Sequence, residues 1–263
     1  MNTAHGFGYL LRWLAGVSCY IVFGVGGLLS SLTILPVLRY WPGNTNTRIK
    51  RVQKAVHVMF RGMVKMLTAA GVVKVDAGCI QQLRQAEGMV VVANHPTLID
   101  VVVLISLMPN AGCIVKQGLW RNPFLRGVVS AAGYIPNREA DLLLADCQEV
   151  LQRGTNLIIF PEGTRTIKGN VINEFARGAA NIAIRTSANV LPVLLKVRHA
   201  GLTKQDPWYL IPRQAIEIQV QTGEQINANP SGDIATHAKQ ARLLTRDLEC
   251  YYRQQLNEYY ELT

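Results

Sequence analysis

Twenty-six consecutive residues, Trp13 to Leu38, carry no charge: WLAGVSCYIVFGVGGLLSSLTILPVL. About 20 apolar residues suffice to cross a bilayer core, so this run constrains the fold more than any other stretch. Its four glycines and Pro36 weaken it as one straight helix and permit a bent or re-entrant pair. No small-x-small cleavage site ends it near residue 30, and the basic cluster follows it. A retained membrane segment over residues 1–40 is therefore expected, not a removed signal peptide. Residues 1–75 hold nine Lys or Arg and no acid, whereas the remaining 18 basic residues face 17 acidic ones. Positive charge confined to one apolar end points to a membrane bilayer as partner and away from nucleic acid.

Residues 41–74 continue the theme. Arg39-Tyr40-Trp41-Pro42 is an aromatic and basic boundary suited to headgroup depth. Beyond it, Ile49, Val52, Val56, Met59, Met63 and Met66 share one helical face, with Arg48, Arg51, Lys54, Arg61 and Lys65 largely off it. That pattern suits an amphipathic helix lying in an interface, or equally a surface helix packed on the protein's own core; the apolar neighbour favours the interface. The positive-inside bias then places the rest of the chain on the cytoplasmic side.

From residue 72 short apolar runs alternate with helical segments. VVKV, MVVVAN, GCIVK, LIIF and VLPVLL read as buried strands, and segments around 98–107, 120–131, 139–152 and 175–187 as helices. The fold class this implies is α/β, a mixed but mostly parallel sheet flanked by helices, preceded by the membrane-associated helical segment. AIEIQVQTGEQI (215–226) alternates like a strand nearer an edge, and the tail from Asp233 is a long amphipathic helix with a packing role. Five scattered cysteines without a CxxC pair imply neither a disulfide framework nor a metal site.

Two strand ends carry polar residues that the pattern does not require. VVVANHPTLID (90–100) breaks at Asn94-His95-Pro96, with Thr97 a plausible N-cap for a helix beginning at Leu98. A histidine just before a helix N-terminus is kept neutral by the dipole, as a general base requires. Asp100 could accept its Nδ1 hydrogen and leave Nε2 free. The pair alone reads more simply as a turn residue beside an acid that complements the dipole. LIIFPEGTR (157–165) places Glu162, Gly163, Thr164 and Arg165 beyond a strand's carboxyl end, where ligands of α/β sheets collect. Arg165 offers a planar fork of donors for a phosphate; a surface ion pair with Glu162 is the plainer alternative.

Together NHPTLID and FPEGTR resemble two blocks of the glycerolipid acyltransferase family with the HxxxxD motif. Gly133-Tyr-Ile-Pro-Asn-Arg138 and Val190-Leu-Pro192-Val resemble its other two, in order. Lys116 followed by Leu119 and Pro123, and Arg177-Gly178, match further elements. Thr97, Pro136-Asn137 and Thr166 depart from the commonest pattern. The resemblance spans about residues 75–200 and implies an acyltransferase catalytic domain over 75–263, in the bacterial inner (cytoplasmic) membrane. It implies that His95 deprotonates the free hydroxyl of a lysophospholipid, with Asp100 orienting the imidazole and no acyl-enzyme. The donor would be an acyl carrier protein or coenzyme A thioester, with no cofactor and no metal. The acceptor would be lysophosphatidic acid, held by Glu162, Gly163, Thr164 and Arg165 with Lys116 and Arg138 as further cations; the sequence leaves open which cation takes the phosphate. The alternatives are a specialised acceptor such as a lyso-aminolipid, or a non-catalytic membrane-peripheral lipid-binding protein.

Overall fold

Successive residues of Val90–Ala93 (β2) are all buried, yet they enter two different cores: Val91 and Ala93 one, Val90 and Val92 the other. The two-residue period of a strand sends neighbours to opposite faces, so a run with no polar position must be covered on both sides. In a computed structural model, which describes residues 3–115, 118, 123–207, 209–229 and 234–262, this strand is the centre of a seven-stranded sheet. The others are β1 (Val73–Asp76), β3 (Ala111–Val115), β4 (Ile135–Pro136), β5 (Asn156–Ile159), β6 (Val190–Arg198) and β7 (Ile216–Thr222). Their order is β1-β7-β6-β2-β5-β3-β4, with every pairing parallel except β6 with β7. The 215–226 stretch is thus one strand in from an edge, held between β1 and β6.

Helices cover both faces. One is covered by α3 (Thr45–Ala69) and α5 (Asp100–Leu107), and the other by α7 (Ala140–Gln152), α8 (Gly178–Thr186) and α9 (Ile234–Glu261). The remaining helices are α1 (Thr3–Leu32), α2 (Ile34–Tyr40), α4 (Ile80–Gln85) and α6 (Pro123–Ala131). The four glycines do not interrupt α1; the break comes at Thr33, ahead of the Pro36-bearing α2. Gly8–Leu32 is long and apolar enough to cross a membrane, and Leu10, Leu14, Ile21, Val25 and Leu29 are about half exposed.

Helix α3 departs from the interfacial expectation. Its Val52, Val56, Met63 and Leu67 are buried in the main core, Gln53 Nε2 donates to Ala132 O (3.0 Å), and His57 Nδ1 lies 2.8 Å from Ile105 O. The apolar stripe is spent on the protein itself, while Lys54, Arg61 and Lys65 stay exposed. Buried amide and imidazole contacts of this kind need a protein partner; a lipid surface supplies none.

The tail helix does more than pack. Tyr252 is fully buried; its hydroxyl donates to Val92 O (2.7 Å) and accepts from Val193 N (2.9 Å). Val92 stands opposite Pro192, which has no N–H to give, and the Tyr252 hydroxyl bridges the Val92 carbonyl and the Val193 N–H at the end of this pairing. The bridge lies just before the Asn94-His95 break.

Candidate active site

Asn94 completes what Tyr252 starts. Its buried amide donates from Nδ2 to Leu195 O (2.9 Å) and accepts from Leu195 N (2.8 Å), as a peptide group would. The side chain thus continues the ladder while the backbone turns away. That turn delivers His95, partly exposed, to the mouth of a cavity.

His95 Nδ1 lies 2.8 Å from Asp100 Oδ2, and Asp100 is completely buried. Thr97 does not cap α5 as expected: the helix begins at Asp100, Ile99 occupies the cap position, and the polarity is reversed. Thr97 donates both its backbone N–H (2.7 Å, to Oδ2) and its hydroxyl (to Oδ1) to the Asp100 carboxylate. Burial pushes the Asp100 carboxyl above its ordinary range, opposed by the bonds from His95 and Thr97. With Nδ1 donating to Asp100, Nε2 is the ring nitrogen without a hydrogen bond among the described residues. The imidazole stacks on Phe160, ring centroids 4.1 Å apart and planes within 22°. The last residue of the LIIF run is the wall that holds the ring flat.

The loop after β5 grips the backbone of His95 from the other side. Glu162 Oε1 accepts from His95 N (2.7 Å), and Thr166 N donates to His95 O (2.7 Å). Glu162 also accepts from the Thr166 hydroxyl (2.9 and 3.1 Å) and from Asn173 N (2.8 Å), so its carboxylate is spent on its own framework. The acceptor contact expected of Glu162 is therefore replaced by a positioning role, because three donors turn the carboxylate inward and it does not line the cavity. Burial raises its pKa, while those donors pull it down. Asn173 ties the loop at further points, through Arg165 O (3.2 Å) and Ile167 N (3.1 Å).

Gly163, Thr164 and Arg165 do line the cavity. Gly163 has φ +65°, a left-handed turn that glycine takes without strain. Arg165 makes no ion pair with Glu162; its Nη1 donates to Leu202 O (3.0 Å) and Thr203 O (2.6 Å). Arg138, expected beside the substrate, instead pairs with Asp146 of α7, its Nε 3.0 Å from Oδ2, and only its neighbour Asn137 reaches the cavity. The partner comes from the next helix, eight positions on. Lys116 lies outside the described residues.

The cavity holds about 1180 Å³, against about 300–1,000 Å³ for common small-ligand pockets. Phe23, Leu28, Phe60, Val101, Ile105 and Ile158 make most of it apolar, and His95, Arg165 and Lys204 supply its basic groups. It runs from the histidine to the flank of α1.

Residues 74–196 match the family model described as Acyltransferase. That stretch holds the His95–Asp100 pair, the loop after β5 and the central strands. This part of the chain resembles an acyltransferase-family domain. The chain is 32% identical over 111 residues to the chloroplastic 1-acyl-sn-glycerol-3-phosphate acyltransferase LPAT1 of Arabidopsis thaliana, covering 40% of this chain and 31% of that one. It is 33% identical over 111 residues to the 1-acyl-sn-glycerol-3-phosphate acyltransferase of Helicobacter pylori, covering 40% of this chain and 47% of that one. The matched stretch therefore spans less than half of either relative. The fold extends further: the crystal structure of the 1-acyl-sn-glycerophosphate acyltransferase PlsC from Thermotoga maritima aligns over 97% of this chain and 98% of its own. Its TM-score is 0.71 at 19% identity.

Proposed function

We propose that this chain is a membrane-bound O-acyltransferase, carrying a fatty acyl group from a thioester donor to the free hydroxyl of lysophosphatidic acid. The observation that carries it is one imidazole held by a buried carboxylate, its second nitrogen unengaged, at the mouth of an apolar cavity that also holds a guanidinium. The names of the relatives support the acceptor class.

In this reading His95 Nε2 takes the proton of the acceptor hydroxyl as the oxygen attacks the thioester carbonyl. Asp100, ionised, holds the tautomer and stabilises the imidazolium. The C–S bond breaks, the thiolate takes the proton back, and an ester and a free thiol result without an acyl-enzyme. Arg165 and the open backbone at Gly163 face the acceptor's phosphate end. The exposed apolar side of α1 holds the cavity at the bilayer, on its cytoplasmic face, so that neither lipid crosses water. Each CH₂ exposed would cost about 0.8 kcal/mol.

The test offers purified protein in mixed micelles lysophosphatidic acid with either a coenzyme A or an acyl carrier protein thioester, and identifies the product by mass. Phosphatidic acid from the wild type, and loss of it in His95→Ala, is the expected result. Acylation of phosphate-free acceptors alone would overturn the acceptor; undiminished turnover by His95→Ala would overturn the mechanism.

A further inference from the structure

Between β6 and β7 the chain forms a strap, residues 199–215, that joins three parts of the molecule. Its Leu202 is fully buried, and His199 and Leu202 hold φ of 53° and 56°, which a leucine adopts only where its surroundings impose it. Leu202 O accepts from Leu98 N (3.0 Å) in the catalytic turn and from Arg165, and Thr203 O accepts from Arg165 as well. At its far end the carbonyls of Tyr209 and Ile211 accept from Trp13 Nε1 (3.0 Å) and Tyr9 Oη (3.1 Å) of α1. Arg12 Nη1 donates to Arg213 O, and Gly16 lets Ile211 approach so closely that an added Cβ would meet it at 3.0 Å.

Lys204 follows directly on the two carbonyls gripped by Arg165, and it lines the same cavity as His95, Thr164 and Arg165. No ion pair among the described residues includes it. The nearest acid along the chain, Asp206, is taken by Thr203, whose N–H and hydroxyl donate to it at 3.0 and 2.7 Å. Arg138 is held by Asp146, and one arm of Arg165 is spent on the strap. Lys204 thus offers a cation with no acid partner among the described residues, beside a guanidinium on the same cavity wall, and an anion bound there would pair with both.

We propose that Lys204, set beside Arg165 by the strap, forms with it a subsite for a phosphate monoester, the phosphate of the acceptor lipid. This rests on the acyltransferase reading and adds the residue that discriminates phosphate-bearing acceptors. A coenzyme A donor also carries phosphate, so the source has to be distinguished.

The experiment measures kcat/KM for lysophosphatidic acid and for its dephosphorylated counterpart, monoacylglycerol, each with a coenzyme A thioester and with a short thioester lacking the nucleotide phosphates. Lys204→Ala is expected to lower the preference for the phosphate-bearing acceptor about ten- to a hundredfold, through KM, with either donor. Lys204→Arg restores most of it. Lys204 is exposed, so truncation leaves the fold intact. Equal loss on both acceptors, or no change in preference, overturns the proposal, and a loss that appears only with the coenzyme A donor assigns the phosphate to the donor and overturns it too. A wild type that acylates no lysophosphatidic acid refutes the functional reading itself, and this subsite with it.

Discussion

The turn after β2 and the loop after β5 look alike in the sequence: a buried strand, a proline, then an acid within four residues. They serve the same histidine from opposite directions. Asp100, in the first, reaches the ring; Glu162, in the second, reaches the backbone N–H. Both carboxylates are buried, and burial raises both pKa values. Only Asp100 is one hydrogen bond from the imidazole ring. In the proposed mechanism the first region sets the chemistry and the second sets the position from which it acts.

Removing the ring breaks the comparison outright. His95→Ala should lower kcat by about 10²–10⁴-fold with an unchanged circular-dichroism melt, since a positioned base contributes about that much. Asp100→Asn should come next, falling about as far in kcat because the amide supports the wrong tautomer. Its melting temperature should fall as well, because the Thr97 donors lose an ionised acceptor. If Asp100→Asn retained more than half the wild-type kcat, the ring and backbone roles could not be assigned as above.

Glu162→Gln separates the two carboxylates. A smaller loss is expected, about tenfold in kcat, with about 1–3 kcal/mol of stability lost because one of its three donor groups now faces an NH₂. Its pH dependence has a definite sign. Burial holds the folded pKa above the ordinary 4.5, so between that value and the raised one the folded state binds more protons than the unfolded. This group's contribution to stability is therefore fullest on the acid side and declines as pH rises through the window. Glu162→Gln lacks that term, and its deficit against wild type should narrow with rising pH in urea midpoints taken stepwise. A deficit that widens would mean the three donors outweigh burial. The smallest effect is expected from Tyr252→Phe. Losing the bridge between Val92 and Val193 should cost about 1–3 kcal/mol and lower kcat a few-fold, as the strand end that carries His95 loses a buried anchor.

Much of this molecule is legible in its sequence. Local periodicity carries a strand's burial and a helix's face, so the α/β alternation, the uncharged N-terminal run and the two polar strand ends can all be read from neighbouring residues. The mostly parallel sheet follows from the same pattern, because strands without polar positions must be covered twice. The direction of each polar side chain is not legible there. Whether Glu162 faces a ligand or a backbone depends on contacts across 67 residues, and Tyr252 reaches Val92 across 160. Arg138 is claimed by an acid on the following helix, Lys204 gains its place because a guanidinium grips the two carbonyls before it, and the stripe of α3 turns inward because α5 is there to receive it. Hydrophobic period is a property of adjacent residues, whereas a hydrogen bond needs a partner at a set distance and angle, and the partner here comes from a remote part of the chain.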